Sequence, residues 1–359
     1  MWSLLCIILV ISVGYFYVIG SFVVYSTLKQ KVTGTLFIAS MYSCSIIHIC
    51  QSLIIKGCKL REILHKFSEI DQFFSSKVYR SLIYKNTRLF LTLQFATVIL
   101  VVIIIRVLLM YISNGFLTFP QIFATFSLSL PALVNYTAVL YFVNLVLQLR
   151  NKYKYLISLL ESSALTPCNE TISDYCNTKY VTPIDTFRMK PPFNEQRGYR
   201  YSSRRQHFRN LRIIHSQIHD VALLMNSTYG FSLLCAIVWV FCSIIPTANR
   251  IIEMKPTNIY GHILIGVLWS TYHVVLVGIM AVSCSLAVNE CNRSPVIVQK
   301  IMLRDDIDSE VMKELKMIFT QFKVMKIEFS ACGMYRIDLS FLCDIISGIF
   351  SYLIVVSQL

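Results

Sequence analysis

The sequence is poor in charge. Only 14% of its 359 residues are Asp, Glu, Lys or Arg, where soluble domains carry roughly 25%, so there is too little polar surface to clothe a water-soluble body of this length. Acids are the rarer sign, 19 against 33 bases, and no carboxylates pair in the manner of an acid and base couple. Also missing are a GxSxG nucleophile turn, a glycine-rich phosphate loop and the glutamate of an HExxH zinc helix. His215 and His219 share a helical face at i and i+4, but no third ligand stands near them in sequence, and a polar structural role is expected. These absences give no reason to expect an enzyme, a metal or a cofactor.

No CxxC pair occurs among the 12 cysteines, which removes zinc ribbons and dithiol redox centres. Most of them (Cys6, Cys44, Cys50, Cys235, Cys242, Cys284, Cys343) fall inside apolar runs, where cysteine packs as a small hydrophobe. Cys168 and Cys176 share one loop that the charge pattern places in the cytosol, where thiols stay reduced. The first apolar run, residues 2–27, has no basic n-region and is about twice the length of a signal-peptide core. It is expected to be retained as a span.

What the sequence has in abundance is apolar length: 55% of residues are hydrophobic, and the mean hydropathy is +0.61. Runs of roughly 20 residues, enough to cross a hydrocarbon core, recur along the chain. They predict an all-α integral membrane protein with seven transmembrane helices near 2–27, 32–55, 89–112, 121–147, 222–246, 261–286 and 331–359. The joints 56–88, 148–221 and 287–330 hold 27 Lys and Arg, while 28–31, 113–120 and 247–260 hold four. Positive charge marks the cytoplasmic side, so the N-terminus is expected in the cytoplasm and the C-terminus outside. With seven spans, that orientation is the reverse of a G-protein-coupled receptor. A DRY-type triplet and an NPxxY are also lacking, and no repeated halves suggest a transporter.

The net charge of +14 raises nucleic acid as a partner, but the bases lie between apolar runs, where they meet anionic headgroups, and no aromatic-basic module accompanies them. Membrane lipids are the expected partners and nucleic acid is not. Within the second cytoplasmic joint, Ser162 to Tyr199 is rich in Pro, Asn, Ser and Thr and reads as a flexible loop with helical ends. Leu211, Ile214, Ile218 and Val221 stand at helical spacing opposite Arg209, Arg212 and Gln217, so the fifth helix should project below the membrane. Val311, Leu315, Ile318, Phe322 and Met325 form a second such stripe. The two predict a cytoplasmic anchor bundle, with a helix lying on the membrane interface as the alternative.

Ionisable groups inside spans are costly and therefore informative. They are His48, Arg106, His273, Asp338 and Asp344. Aromatic and polar groups gather in the outer halves: Tyr42, Tyr111, Phe123, Phe126, Trp239, Trp269 and Tyr272. Arg106, Tyr111, Trp239, Trp269, Tyr272 and His273 are the candidate walls of a pocket for a small amphipathic ligand. Interfacial anchoring explains the Trp and Tyr equally simply, and snorkelling explains the arginine.

The C-terminal residues carry a resemblance. Asn289-Glu290-Cys291-Asn292-Arg293, then IEFSACGMYRIDLSFL at 327–342, then SYLIVVSQL at 351–359, resemble the signature of insect gustatory receptors, whose last helix ends in Thr-Tyr, five hydrophobic residues and Gln-Phe. Ser351-Tyr352, Leu353 to Ser357 and Gln358-Leu359 occupy those positions. HSQIHDVALLMNSTYGFSLL, 215–234, is similar to the start of that family's fifth helix. The sugar-receptor branch has Glu where this chain has Leu353, so the resemblance points to a bitter-type or orphan receptor.

What the resemblance implies is a gustatory receptor of neuronal plasma membrane: a ligand-gated cation channel opened by a small-molecule tastant. It implies a homotetramer, possibly with other gustatory receptor subunits, whose last helices surround one pore. Residues 1–286 would hold the first six helices with the ligand pocket. Residues 287–359 would form the anchor helix and the pore-lining seventh helix. Ser347, Ser351, Ile354, Val355 and Gln358 fall on one stripe, with Leu359 at its outer end. Apolar rings close pores by dewetting and an amide ring coordinates hydrated cations; a packing seam is the alternative. An epitope at the C-terminus should be reached by antibody on intact cells, and an N-terminal one only after permeabilisation. An intracellular C-terminus would remove the channel reading.

Overall fold

A computed structural model describes the backbone of residues 28–54, 56–74, 92–105, 107–108, 119–165, 193–253, 259–304, 307 and 309–358. Within them run α1 (Leu28–Ile54), α2 (Lys56–Phe73), α3 (Thr92–Ile105), α4 (Phe119–Leu165), α5 (Phe193–Glu253), α6 (Ile259–Met302), α7 (Ser309–Val324), the strands β1 (Ser330–Ala331) and β2 (Tyr335–Arg336), and α8 (Leu339–Gln358). Four helices among the described residues are long and apolar enough to cross a membrane, and α3 and α8 contain shorter apolar stretches. The first predicted span lies outside the described residues.

Length shows how far these helices outrun the bilayer. At 1.5 Å per residue the 47, 61 and 44 residues of α4, α5 and α6 reach about 70, 90 and 65 Å, against a hydrocarbon core of about 30 Å. The sequence expectation of a projecting fifth helix therefore extends to α4 and α6, which continue past the ends of their apolar runs. Hydropathy marks where lipid ends, whereas helix propensity carries on through residues such as Lys, Leu and Glu that favour the helix in water as well. The loop expected over 162–199 is accordingly shorter at both ends, since 162–165 belong to α4 and 193–199 to α5. Pro191-Pro192 directly precedes α5, the place where a helix tolerates proline.

The last span also starts later than its hydropathy suggests. Residues 330–336 form a hairpin pairing Ser330 with Arg336 and Ala331 with Tyr335. Its turn carries positive φ at Cys332 (55°) and Gly333 (74°), with Met334 N–H donating to the Ala331 carbonyl at 3.0 Å. Two left-handed residues in succession inside that hydrogen bond make a type I′ turn, which matches strand twist but cannot continue a helix. Asp338 then caps α8 by accepting from Phe341 N–H at 3.0 Å. The 20 residues of α8 are long enough for one crossing.

The chain packs as two compact units. One comprises Met1–Leu147, Leu224–Ser285 and Glu328–Leu359; the other comprises Gln148–Leu223 and Leu286–Ile327. In the first, polar pairs tie the helices together. Ser45 Oγ lies within 2.8 to 3.0 Å of the Met41 and Pro131 carbonyls and Asn135 Oδ1, Asn135 Nδ2 donates to the Met41 carbonyl, Asn144 donates to Gln94 at 2.9 Å, and Ser232 donates to Gln51. Pro131 lacks an N–H and so frees the carbonyl four residues before it; Ser45 meets the carbonyl of Pro131 itself and ties α1 to α4 at that point. Each interhelical bond contributes about 0.6 kcal/mol in lipid.

The second unit is a helical bundle with the packing of a soluble core. The predicted stripes supply its interior: Leu211, Ile214, Ile218 and Val221 from α5 meet a core that also buries Val311, Leu315, Ile318 and Phe322 of α7, while Met325, the last residue of the second stripe, lies past the end of the helix and is half-buried. Glu310 in the first turn of α7 and Lys323 in its last suit the helix dipole. His215 is fully buried, its ring stacked on Phe322 at 3.9 Å between centroids and edge-on to Tyr153 at 5.8 Å. Neither of its nitrogens has a hydrogen bond among the described residues, so it serves as a flat aromatic wedge. Arg205 reaches Glu310 at 3.5 Å and Glu314 at 3.4 Å, and Gln321 donates to the Arg212 carbonyl at 3.3 Å. The hydrogen bond from Lys313, then its charge, holds the Glu310 carboxyl below its usual range.

Because Leu315 is wholly buried, Leu315→Ala should destabilise this bundle by about 2–5 kcal/mol through lost burial and the cavity left behind. Fluorescence-detected size exclusion after heating should show an earlier loss of the folded-protein peak. Leu303→Ala, at a side chain 77% exposed, should leave that profile in place.

Candidate ligand site and pore helix

Four of the six predicted ligand-site residues come together in the first unit around a residue the sequence reading missed, Tyr136 of α4. Its ring centroid lies 5.1 Å from Trp239, 4.7 Å from Tyr272 and 5.8 Å from His273. Trp239 and Trp269 sit 5.0 and 4.8 Å from the His273 ring. The interplanar angles, 58 to 74°, set ring edges against ring faces, the arrangement that the aromatic quadrupole favours. Arg106 and Tyr111 lie outside the described residues, so their predicted place in this group is left as a sequence expectation. The only hint of Tyr136 in the sequence was its position beside Asn135 in an apolar run.

Hydrogen bonding orders the centre of this cluster. His273 Nδ1 lies 2.8 Å from the Trp269 carbonyl. A carbonyl only accepts, so Nδ1 carries the proton, and in the neutral ring Nε2 accepts from the Tyr136 hydroxyl at 3.3 Å. His273 is thereby a fixed strut between α4 and α6. By contrast, the indole N–H of buried Trp239 and the hydroxyl of Tyr272 have no hydrogen-bond partner among the described residues. An unmet buried donor costs about 1–3 kcal/mol, so the wall of rings offers two donors to whatever polar group can approach.

The predicted pore residues divide in the same way. Ser351, Ile354 and Val355 of α8 are exposed, as are Ser347 and Gly348 before them, while Phe341 and Ile345 on the other side are buried. Ser351 Oγ donates to the Ser347 carbonyl at 2.9 Å. Gln358 belongs to the helix backbone, but its side chain and Leu359 lie outside the described residues.

The hairpin before α8 has a specific seat on α5. Ser330 N–H donates to Asn226 Oδ1 at 2.9 Å and Asn226 Nδ2 donates to Ser330 Oγ at 3.3 Å. One turn further along α5, Gly230 lies under the turn: a Cβ there would stand 3.1 Å from Cys332 N and 3.4 Å from the Ser330 carbonyl. Phe329 is buried against Phe142 at 5.9 Å, and Phe142 against Tyr229 at 5.6 Å. Arg336 pairs with Glu328 at 3.3 Å and with the capping Asp338 at 3.5 Å. In the sequence Asn226 and Gly230 stand only within the 215–234 stretch that carries the resemblance, with no role of their own, because a seat for a hairpin is invisible until the hairpin is.

Three comparisons with known proteins bear on this arrangement. The family described as 7tm Chemosensory receptor matches residues 1–359. The gustatory receptor for sugar taste 43a of Drosophila melanogaster is 24% identical over 147 residues, which is 40% of this chain and 34% of that relative's length. Among solved structures, the insect olfactory receptor OR5 from Machilis hrabei superposes with a TM-score of 0.71 at 13% identity, covering 99% of this chain and 88% of that one. The same receptor in complex with eugenol gives 0.64 at 12%, covering 98% and 88%.

Gly230→Val places bulk where backbone already stands and should lift the hairpin from α5, whereas Asn226→Ser keeps a hydroxyl there. Functional assays with protein of equal surface level should show lost or spontaneous gating for the first and a milder shift for the second. Wild-type responses from Gly230→Val would show that the seat has no part in gating.

Proposed function

We propose that this chain, which belongs to the 7tm chemosensory receptor family, is a gustatory receptor that acts as a non-selective cation channel opened by a small-molecule tastant. The family is one of receptors and not of enzymes, and the fold is that of an insect olfactory receptor. The finer reading makes the chain a homotetramer in the plasma membrane of taste neurons, alone or with other gustatory receptor subunits. Its N-terminus would lie in the cytoplasm and its C-terminus outside.

The observation that carries the channel reading is the exposed face of α8. Serines at 347 and 351 share it with Ile354 and Val355, which are 58% and 55% exposed. A conduction path lined by small hydroxylated residues and narrowed by apolar rings conducts when wet and closes by dewetting, and this face supplies both kinds of side chain. Gln358 at the outer end would complete the path with an amide ring. The relative that binds eugenol, by its own description, supports a small organic ligand here too. Leu353, in place of the acid found in the sugar branch, favours a bitter-type tastant. The two unmet donors beside Tyr136 suit a ligand that brings hydrogen-bond acceptors on an aromatic or aliphatic frame.

Tastant screening with current recording tests both halves at once. Trp239→Ala should shift the agonist dose-response about tenfold or more, in line with losing a buried aromatic contact of about 1.4 kcal/mol or greater, and leave ion selectivity unchanged. Gln358→Glu should raise divalent permeability or block, and Val355→Ser should leak without agonist, with agonist potency little altered in either. Unchanged potency in the first or unchanged permeation in both others would overturn the corresponding half.

A further inference from the structure

Asp344 is the only Asp, Glu, Lys, Arg or His in α8, and the roles of a buried acid do not explain it. The other acid at this end, Asp338, is accounted for as the helix cap and the partner of Arg336. Asp344 is exposed and forms no hydrogen bond or ion pair among the described residues. It lies in the second turn of an apolar helix whose mean composition belongs in lipid, where a bare carboxylate is among the costliest groups to place. Water must therefore reach it.

Its position says from which side. Asp344, Gly348, Ser351, Val355 and Gln358 follow one another at steps of four, three, four and three residues, which keeps them within roughly 80° of the helix circumference. The neighbouring arc is buried, with Phe341 and Ile345 roughly 60° and 100° round the helix from Asp344, and Gly348 marks the border, since a Cβ there would stand 3.7 Å from the Phe241 ring. The carboxylate thus shares the face with the hydroxyls and apolar rings of the proposed path, about 17 Å along the helix from Val355 toward its N-terminal end.

We propose that Asp344 is a selectivity-determining residue: repeated around the symmetric assembly, it forms a ring of carboxylates at the cytoplasmic end of the path that concentrates cations and repels anions. The proposal rests on the reading of α8 as the pore helix. A fixed ring of this kind acts through its field, which ions screen over about 8 Å at physiological strength and over longer distances when salt is dilute. Its signature is consequently a conductance difference that grows as salt falls.

The test uses the full-length receptor in excised patches with the cytoplasmic face exposed. Asp344→Asn should lower outward single-channel conductance about twofold when cytoplasmic salt is reduced roughly tenfold, converging with wild type in concentrated salt. Asp344→Glu should follow wild type, and agonist potency should be the same in all three. A second arm makes Asp344→Cys and applies charged methanethiosulfonates from the cytoplasmic side; the anionic reagent should restore the dilute-salt conductance and the cationic one should depress it further.

Superimposed conductance curves for Asp344→Asn and wild type, with Gln358→Glu still altering permeation, would remove Asp344 from the path and leave the pore reading standing. No change in either variant would remove the pore reading itself. If Asp344→Asn does not reach the surface, the cysteine arm decides: equal responses to both reagents, or none, would assign the position to packing and overturn the proposal.

Discussion

The rotation of α8 about its own axis depends on one small contact, the seat of the hairpin on α5. Ser330 exchanges two hydrogen bonds with Asn226, and Gly230 leaves room for Cys332 to pass at backbone distance. Two consecutive positive φ angles turn the chain there, and Asp338 starts the helix immediately after. A change of register of one residue at the seat would turn α8 by about 100° and change which side chains its open face carries. Everything read from the exposed arc of α8 follows from that placement.

The same contact joins two kinds of chemistry in one compact unit. On one side stands a ring cluster whose central members are fully buried and braced by the His273 strut; on the other stands a helix with a polar, open face. Both are built on α5: Trp239 belongs to the cluster, while Asn226 and Gly230 carry the hairpin. In a close-packed interior a ligand that rearranges rings cannot move one residue alone, because interiors transmit strain. A continuous helix between the two is a physically sufficient link, since its backbone hydrogen bonds resist local stretching more than its side chains resist repacking.

The bundle of Gln148–Leu223 and Leu286–Ile327 has a different energetic basis. Its core is filled by side chains such as Phe208, Leu211, Leu315 and Phe322, and its ion pairs sit at the edge, with Glu290 drawing Arg150, Lys154 and Arg293 within 3.5 to 4.0 Å. Burial of large apolar groups supplies about 1.5–3 kcal/mol each, far more than partly exposed ion pairs. The charges therefore orient the helices, and the stripes hold them.

Hydropathy made the membrane class legible, and periodicity marked the stripes at 211–221 and 311–322, because burial in lipid and burial in a helical core each impose a local pattern that needs no knowledge of the neighbours. The motif at 351–359 carried the family for the same reason: it is contiguous. What the tertiary structure alone decided were the features made by distant residues. Tyr136 became the hub of Trp239, Tyr272 and His273 only when α4, α5 and α6 were brought together, and Gly230 acquired its role only under a turn a hundred residues away. The hairpin itself was hidden inside an apolar stretch that reads as span, since hydropathy averages over the very residues, Cys332 and Gly333, whose backbone angles break the helix. Composition fixes the solvent in which a segment is stable; the angle at which it enters that solvent is set by contacts that sequence spacing does not encode.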